Sequence, residues 1–585
     1  MYKTTLLSVG LILPLCVYGQ EATSTEEIDR TVTVEREFQP AIQPAGKLDV
    51  RPEVYEPQIT PSNVEYSDYS KPMNDIDNNS VIPLDYSETN FTHPHPMKGF
   101  LRGGIGHSAS MFNFNYSMRE RKKVTLDLNV QHLGQWGKKT LSNTGLGMDI
   151  TRHFSAVDLF FGADAKNIFF TRYGKYFQYT DINKMSGNFV ALDHFSDFTD
   201  SDKSAQWEVN TRIGFRSRGK GAFDYSLQTG YEAFVMRHGS VEHIIDTKGK
   251  FAWQQDGHKV GANLLVENHF YNEKADILAA KDPAFYYTTL DKTDYHAIKL
   301  NPYYSYTGKR FFIKAGVNLD FCIGKGKVFL PSPDVLAEAK LTREWLAVYA
   351  GVTGSYATSS VREHFGYLRY LHPENEIATN QNRTYTPVNP FLGFKIRPIK
   401  SLLLEIYGAY NFTKYDVFYL PDQNDKGYFN LVGSNHQHWT IGAKVHYHYK
   451  DIVSIKANAF YNIWNMKANF YLDPTKTYYD MGLKEGHILD RPAWGFTLRI
   501  DAKIDSKWSL YSDNYFGGGR FALDGMGAIV ELKPTIDLNL GAQYNINKWL
   551  AVFLQLNNYI NRKNEVVYGY QTQGINFMVG VSYKF

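Results

Sequence analysis

The chain has 585 residues, of which 43% are hydrophobic, 15% aromatic and 21% charged. Its 63 Lys and Arg nearly balance 60 Asp and Glu, so no bulk charge would recruit nucleic acid. Two cysteines, Cys16 and Cys322, exclude a disulfide scaffold, and the only apolar run of note is N-terminal, which excludes a polytopic helical membrane protein.

Residues 1–19 join Lys3 to an apolar stretch from Leu6 to Val17, with Val17 and Gly19 placed for cleavage before Gln20. That is the pattern of a secretory signal peptide, and it is set apart from the fold. The stretch is short for a retained anchor, and Leu13-Pro14-Leu15 before Cys16 lacks the small residues of a lipoprotein signal. Residues 20–97 hold nine of the 22 prolines and no long apolar pattern. Proline disfavours both helix interiors and central strands, so this stretch is expected to be a short extended N-terminal arm, periplasmic or lumenal.

From Lys98 onward, segments of 10–13 residues alternate apolar and polar between turns. Val124, Leu126, Leu128 and Val130 share one face, Thr125, Asp127 and Asn129 the other. The same alternation sets Trp207, Val209, Ile213 and Phe215 against Glu208, Asn210, Arg212 and Arg216. It sets Trp494, Phe496, Leu498 and Ile500 against Thr497, Arg499, Asp501 and Lys503. It recurs with Ile536, Leu538 and Leu540 opposite Asp537 and Asn539. Period-two direction makes these half-buried strands with one wholly polar face.

A soluble sandwich would turn the apolar face inward; a membrane barrel turns it toward lipid and encloses a wet lumen. Export, strands without helical interludes, and aromatics near strand ends (Trp136, Phe154, Trp207, Trp345, Trp439, Trp494, Trp508, Trp549) favour the second. The expected fold is therefore all-β, a transmembrane antiparallel β-barrel over 98–585 in the outer membrane of a diderm bacterium. Counting alternating segments gives 22 strands, within a range of 20 to 24, with starts near Gly99, Val124, Phe223, Asp334, Trp439 and Ile575 among others. Tight turns at 119–123, 153–156, 256–258, 307–310, 450–451, 505–507 and 547–548 fall on one side, the periplasmic one. Long connections near 170–204, 271–293, 359–386, 414–437, 465–491 and 516–532 fall on the other, extracellular side. The polar face assigns Asp127, Asp158, Glu208, Arg212, Arg499, Asp501 and Asp537 to the lumen, as a solvated, cross-paired wall.

Ile575, Phe577, Val579, Val581, Tyr583 and Phe585 form an apolar face. Gly580, Tyr583 and Phe585 resemble the C-terminal signature strand of bacterial outer-membrane barrels, which implies handling by a barrel-assembly machinery; Met578 departs from the polar residue usual there. A barrel of this size resembles that of TonB-dependent receptors. Asp29-Arg30-Thr31-Val32-Thr33-Val34 looks like a TonB box, whose β-branched run pairs as an added strand with an energising protein. The resemblance carries Asp29, Thr31, Val32, Thr33 and Val34 as that segment. The departure is the plug: about 60 Pro-rich residues between box and barrel cannot build its sheet and core. The arm, with inward-folded loops, is expected to occlude the pore instead.

The resemblance implies a transporter or receptor for a polar solute. The alternative is a non-transport scaffold whose loops and arm bind surface lipoproteins or assembly partners. Outer-membrane lipid and a TonB-like energiser are the other expected partners. The His pairs 93/95, 436/438 and 446/448 have no Cys or consistent carboxylate joining them, so no metal or cofactor is assigned. No spacing isolates a nucleophile and its base, and Gly517-Gly518-Gly519 opens no helix, so no enzyme is expected. Loop aromatics such as Phe177, Tyr286, Tyr367, Tyr370 and Tyr471 serve either ligand binding or loop packing over the mouth.

Overall fold

The structure is a computed structural model. It describes residues 98–585 except 121–122, 138, 174–175, 178–192, 195–202, 219–221, 238–240, 273–293, 325–327, 342–344, 359, 372–383, 422–427, 451, 467–468, 472–477, 481–486 and 524–528. The signal peptide, the arm and the segment 29–34 lie outside the described residues.

Twenty-two strands form the wall. They are β1 Gly99–Gly106, β2 Ala109–Glu120, β3 Val124–Gln135, β4 Leu141–His153, β5 Val157–Thr171, β6 Lys203–Ser217, β7 Phe223–Met236, β8 Val241–Gln255, β9 His258–Asn272, β10 Tyr295–Thr307 and β11 Phe311–Ile323. They continue as β12 Phe329–Lys340, β13 Leu346–Tyr356, β14 Tyr385–Ile399, β15 Leu402–Pro421, β16 Phe429–Tyr449, β17 Val453–Met466, β18 Trp494–Lys503, β19 Trp508–Gly518, β20 Thr535–Asn545, β21 Leu550–Asn557 and β22 Asn576–Lys584. Each pairs antiparallel with its sequence neighbours, and β1 pairs with β22, so no edge is left and the barrel is closed. The seam is tight: Phe585 O accepts from Lys98 N at 2.8 Å and from Gly99 N at 3.0 Å.

The exposed large side chains form the apolar rows read from the sequence: Val130, Trp207, Val209, Ile213, Phe215, Trp494 and Leu540 all face outward. Eight tryptophans (136, 207, 253, 345, 439, 494, 508, 549) are exposed in two belts; all but Trp439, which lies midway along β16, sit near strand ends. An amphipathic indole rests best where apolar meets polar surroundings, so the belts bound the apolar band.

The inner face uses a recurrent pairing. Tyr349, Tyr407, Phe460, Tyr511 and Phe553 lie directly across the ladder from Gly393, Gly442, Gly495, Gly541 and Gly580. A Cβ at Gly442 would stand 2.3 Å from the Tyr407 ring, and one at Gly541 would stand 2.0 Å from Tyr511. The glycine leaves the hollow into which the neighbouring ring lies down.

Ten connections of two to five residues lie at one end; seven fall at the expected tight turns, and 218–222, 341–345 and 400–401 add three more. Those at the other end include 172–202, 273–294, 357–384, 467–493, 519–534 and 558–575. Two expectations shift. The long connection placed at 414–437 is mostly strand: β15 and β16 run 20 and 21 residues and leave only 422–428 between them. The start read at Trp439 therefore belongs at Phe429, because that extension is packed on both faces and loses its alternation. The 558–575 connection, which holds a small hairpin, was not read as a long loop.

Candidate functional site: the bridged mouth and the lumen wall

At the long-loop end, the connection after β13 carries a helix, α1 Val361–Tyr367. Ser360 caps it, its hydroxyl accepting from Glu363 N at 3.4 Å. Glu242, fully buried near the start of β8, fastens this cap to the wall. Its Oε2 accepts from Ser360 Oγ at 3.0 Å and Arg362 N at 3.1 Å, and its Oε1 lies 3.2 Å from His269 Nδ1. Arg362 reaches Glu232 on β7 at 3.0 Å, and Thr358 donates to Glu267 on β9 at 2.9 Å. Burial lowers the His364 imidazole to about 4 and raises the Glu363 carboxyl.

Beyond α1 the chain joins one apolar cluster with both sides of the ring. Phe365 stacks on Phe234 of β7 with centroids 6.0 Å apart, and Tyr367 on Tyr419 of β15 at 5.0 Å. Tyr370 stacks on Tyr570 of the last long connection at 3.8 Å and meets Phe170 of β5 edge-on. Leu371 bridges to Phe429 of β16. Strands β5 and β16 stand eleven places apart in a ring of 22, so the cluster crosses the mouth from one wall to the opposite one. Tyr367 and Tyr370, two of the loop aromatics noted in the sequence, thus serve loop-on-loop packing.

A second fastening holds the connection after β17. At Tyr415 (φ 54) β15 shifts register between Thr413 and Asp416. The shift lies beyond the Trp439 belt and brings Asp416 beside His436. Arg491 Nη1 donates to Asp416 Oδ2 at 2.5 Å, and His436 Nε2 lies 2.6 Å from the same oxygen. The Arg491 guanidinium and His436, working against burial, hold the Asp416 carboxyl well below the usual range. Neighbouring Asp490 moves the other way, pushed up to about 7 by burial. Its N–H donates to Phe521 O at 2.8 Å, and Arg520 donates to Glu565 O at 2.8 Å and to Val566 O, joining three connections. Ile488 and Leu489 fill the apolar pocket formed by Phe418, Leu420, Trp464 and Leu523. His436 therefore works in an ion pair, and the His438 ring lies tilted against Trp464 with centroids 4.1 Å apart.

The polar face of the strands is largely paired. Arg212 reaches Asp149 at 2.5 Å and Asp164 at 2.6 Å. Asp158 meets His153 at 2.8 Å and Arg218 at 3.3 Å; Glu208 meets Lys166 at 3.7 Å. Arg499 holds Asp501 at 2.9 Å and Asp513 at 3.4 Å, Asp537 accepts from Asn539 at 3.1 Å, and Asp127 stays exposed across from Asp149. These residues do not converge on one centre; they are spread around the ring. Gly580 has its own packing reason, since a Cβ there would stand 2.2 Å from Gly103 O and 2.3 Å from Phe553. Tyr583 and Phe585 stack at 6.0 Å on the outside, and Phe585 also meets Tyr116 at 6.1 Å. The buried ion pairs of the mouth were not read from the sequence: Asp416 and Arg491 are 75 residues apart.

No family model and no curated protein matches the sequence. Solved structures do match its fold. The ferric-catecholate import receptor Fiu of Escherichia coli K12 aligns at 13% identity and TM-score 0.58, over 84% of this chain and 82% of that one. The siderophore receptor PirA of Acinetobacter baumannii aligns at 10% identity and TM-score 0.61, over 83% and 80%. The ferripyoverdine receptor of the Pseudomonas aeruginosa outer membrane aligns at 12% identity and TM-score 0.57, over 84% and 72%. The closed barrel of this chain therefore has the fold of these outer-membrane receptors.

Proposed function

We propose that the chain is an outer-membrane transporter or receptor of the TonB-dependent type for a polar solute. The observation that carries the reading is the closed barrel, apolar outside and polar within, whose mouth is bridged by fastened loops rather than left as an open channel. The fold shared with receptors named for siderophores supports it. On this reading the short turns are periplasmic, the long connections extracellular, and residues 20–97 stand on the periplasmic side or in the lumen. Asp29, Thr31, Val32, Thr33 and Val34 are the strand offered to an energising protein. Gly580, Tyr583 and Phe585 belong to the strand offered to the assembly machinery. No catalytic role is assigned to any residue.

The test is deletion of 29–34 in the full chain. Lost uptake, or lost crosslinking to the energiser, with the barrel still folded supports coupled transport. Unchanged uptake, with surface lipoproteins as the stable co-purifying partners, replaces it with the scaffold reading.

A further inference from the structure

A hollow of about 330 Å³ lies in the wall near the short-turn end, at the junction of β15 to β19. Its polar lining includes Glu405, Lys444, His446, Lys456, Arg499 and Asp513. The register sets Lys456 between His446 on one side and Arg499 on the other. Lys456 and Arg499 are like charges directly across a ladder; such a pair repels, and the repulsion is relieved when an anion stands between them. Arg499 is satisfied by Asp501 and Asp513, and Lys444 lies 3.7 Å from Glu405. Lys456 forms no ion pair among the described residues.

The distribution of charge says where an anion could come from. Residues 98–585 hold 57 Lys and Arg against 45 Asp and Glu, an excess of 12 positive charges. Residues 20–97 hold 15 Asp and Glu against 5 Lys and Arg, an excess of 10 negative charges. The near balance of the whole chain thus hides a basic barrel and an acidic leader. The acidic stretch nearest the barrel is 65–88, with Glu65, Asp68, Asp75, Asp77, Asp85 and Glu88 against Lys71 alone.

The geometry permits the two to meet. Gly99 begins β1 at the short-turn end, and Lys456 is the fourth residue of β17 from that same end. Six strand spacings separate β1 from β17 around the ring, an arc of about 29 Å at ~4.8 Å each. Eleven residues separate Glu88 from Gly99, and that length of chain spans up to ~36 Å.

We infer that the hollow around Lys456 is a carboxylate site occupied by the chain's own acidic segment 65–88, which docks on the lumen wall as an internal counter-charge. The role is separate from energy coupling: it stands or falls whether or not deletion of 29–34 changes uptake.

The experiment uses full-length protein in detergent micelles and a zero-length carbodiimide, which joins an amine to a carboxylate only in direct contact. Peptide mapping is expected to find Lys456 joined to an acidic residue of 65–88, with the product suppressed in 1 M NaCl. A Lys456→Glu variant, checked for the heat-dependent gel shift of a folded barrel, is expected to speed cleavage by a Glu-specific protease at Glu65 or Glu88 about fivefold. Lys456 joined only to barrel carboxylates, or to none, overturns the inference. So does a small carboxylate released from the denatured protein when no product with 65–88 forms, because the hollow would then belong to a solute. If the variant does not fold, the wild-type crosslink decides alone.

Discussion

Arg491 donates to Asp416 at 2.5 Å across 75 residues of sequence, pinning the connection after β17 to the register shift of β15. Both side chains are nearly buried, so removing either leaves an uncompensated charge. Arg491→Ala is expected to open the 487–493 segment at a local cost of about 3–5 kcal/mol. Hydrogen exchange should show lost protection at Asp490, whose amide donates to Phe521 O, while strand amides stay protected. Unchanged protection at Asp490 would reject the fastening role.

The two fastenings of the mouth are expected to respond to pH in opposite directions. Asp490 has its folded pKa raised to about 7. Its contribution to closure is therefore complete below the free carboxylate value of about 3.9 and is lost as pH rises through about 7. His364 has its folded pKa lowered to about 4, so its contribution is complete above about 6.5 and is lost as pH falls toward 4. Between pH 8 and pH 5 the segment around Asp490 should tighten while α1 loosens. Protection factors corrected for intrinsic exchange read both, and Asp490→Asn should remove the first trend only.

Glu242 tests the first fastening directly. It accepts from Ser360 Oγ and Arg362 N in a fully buried setting, where bonds to a charged acceptor are worth about 1.5–3 kcal/mol each. Glu242→Ala is expected to free α1, seen as faster proteolysis at Arg362 or Arg369 and as larger conductance in planar bilayers. Wild-type conductance and proteolysis in that variant would assign the cross-mouth cluster to apolar packing alone.

Gly580→Ala should weaken the seam between β22 and β1. The added Cβ would stand 2.2 Å from Gly103 O, a backbone atom that cannot turn away. A cost of about 1–3 kcal/mol is expected, read as a lower temperature for losing the folded gel band. Phe553→Ala added to it should recover only part, because the carbonyl contact remains.

Much of the wall was legible because a lipid-facing strand obeys a strict rule: one apolar residue, one polar, along its length. Val124 to Val130 and Trp494 to Ile500 show it plainly, and turn positions such as 256–258 followed from where it broke. Past the Trp439 belt the rule lapses, since β15 and β16 there pack on both faces, and the strand start was misplaced by ten residues. The mouth was less legible still. Its defining contacts join Phe234 to Phe365, Tyr367 to Tyr419 and Asp416 to Arg491, pairs with no local spacing to announce them. His436 was visible only as one member of a histidine pair, and its carboxylate partner lies on another strand.

The rings of Tyr349, Tyr407, Phe460 and Tyr511 recline over glycines of the adjacent strand. Bulky groups thereby stiffen the cylinder without taking up its bore. Replacing those glycines one by one would lift the rings toward the axis and narrow the passage in graded steps, which makes this side of the barrel a natural dial for the size of what fits inside.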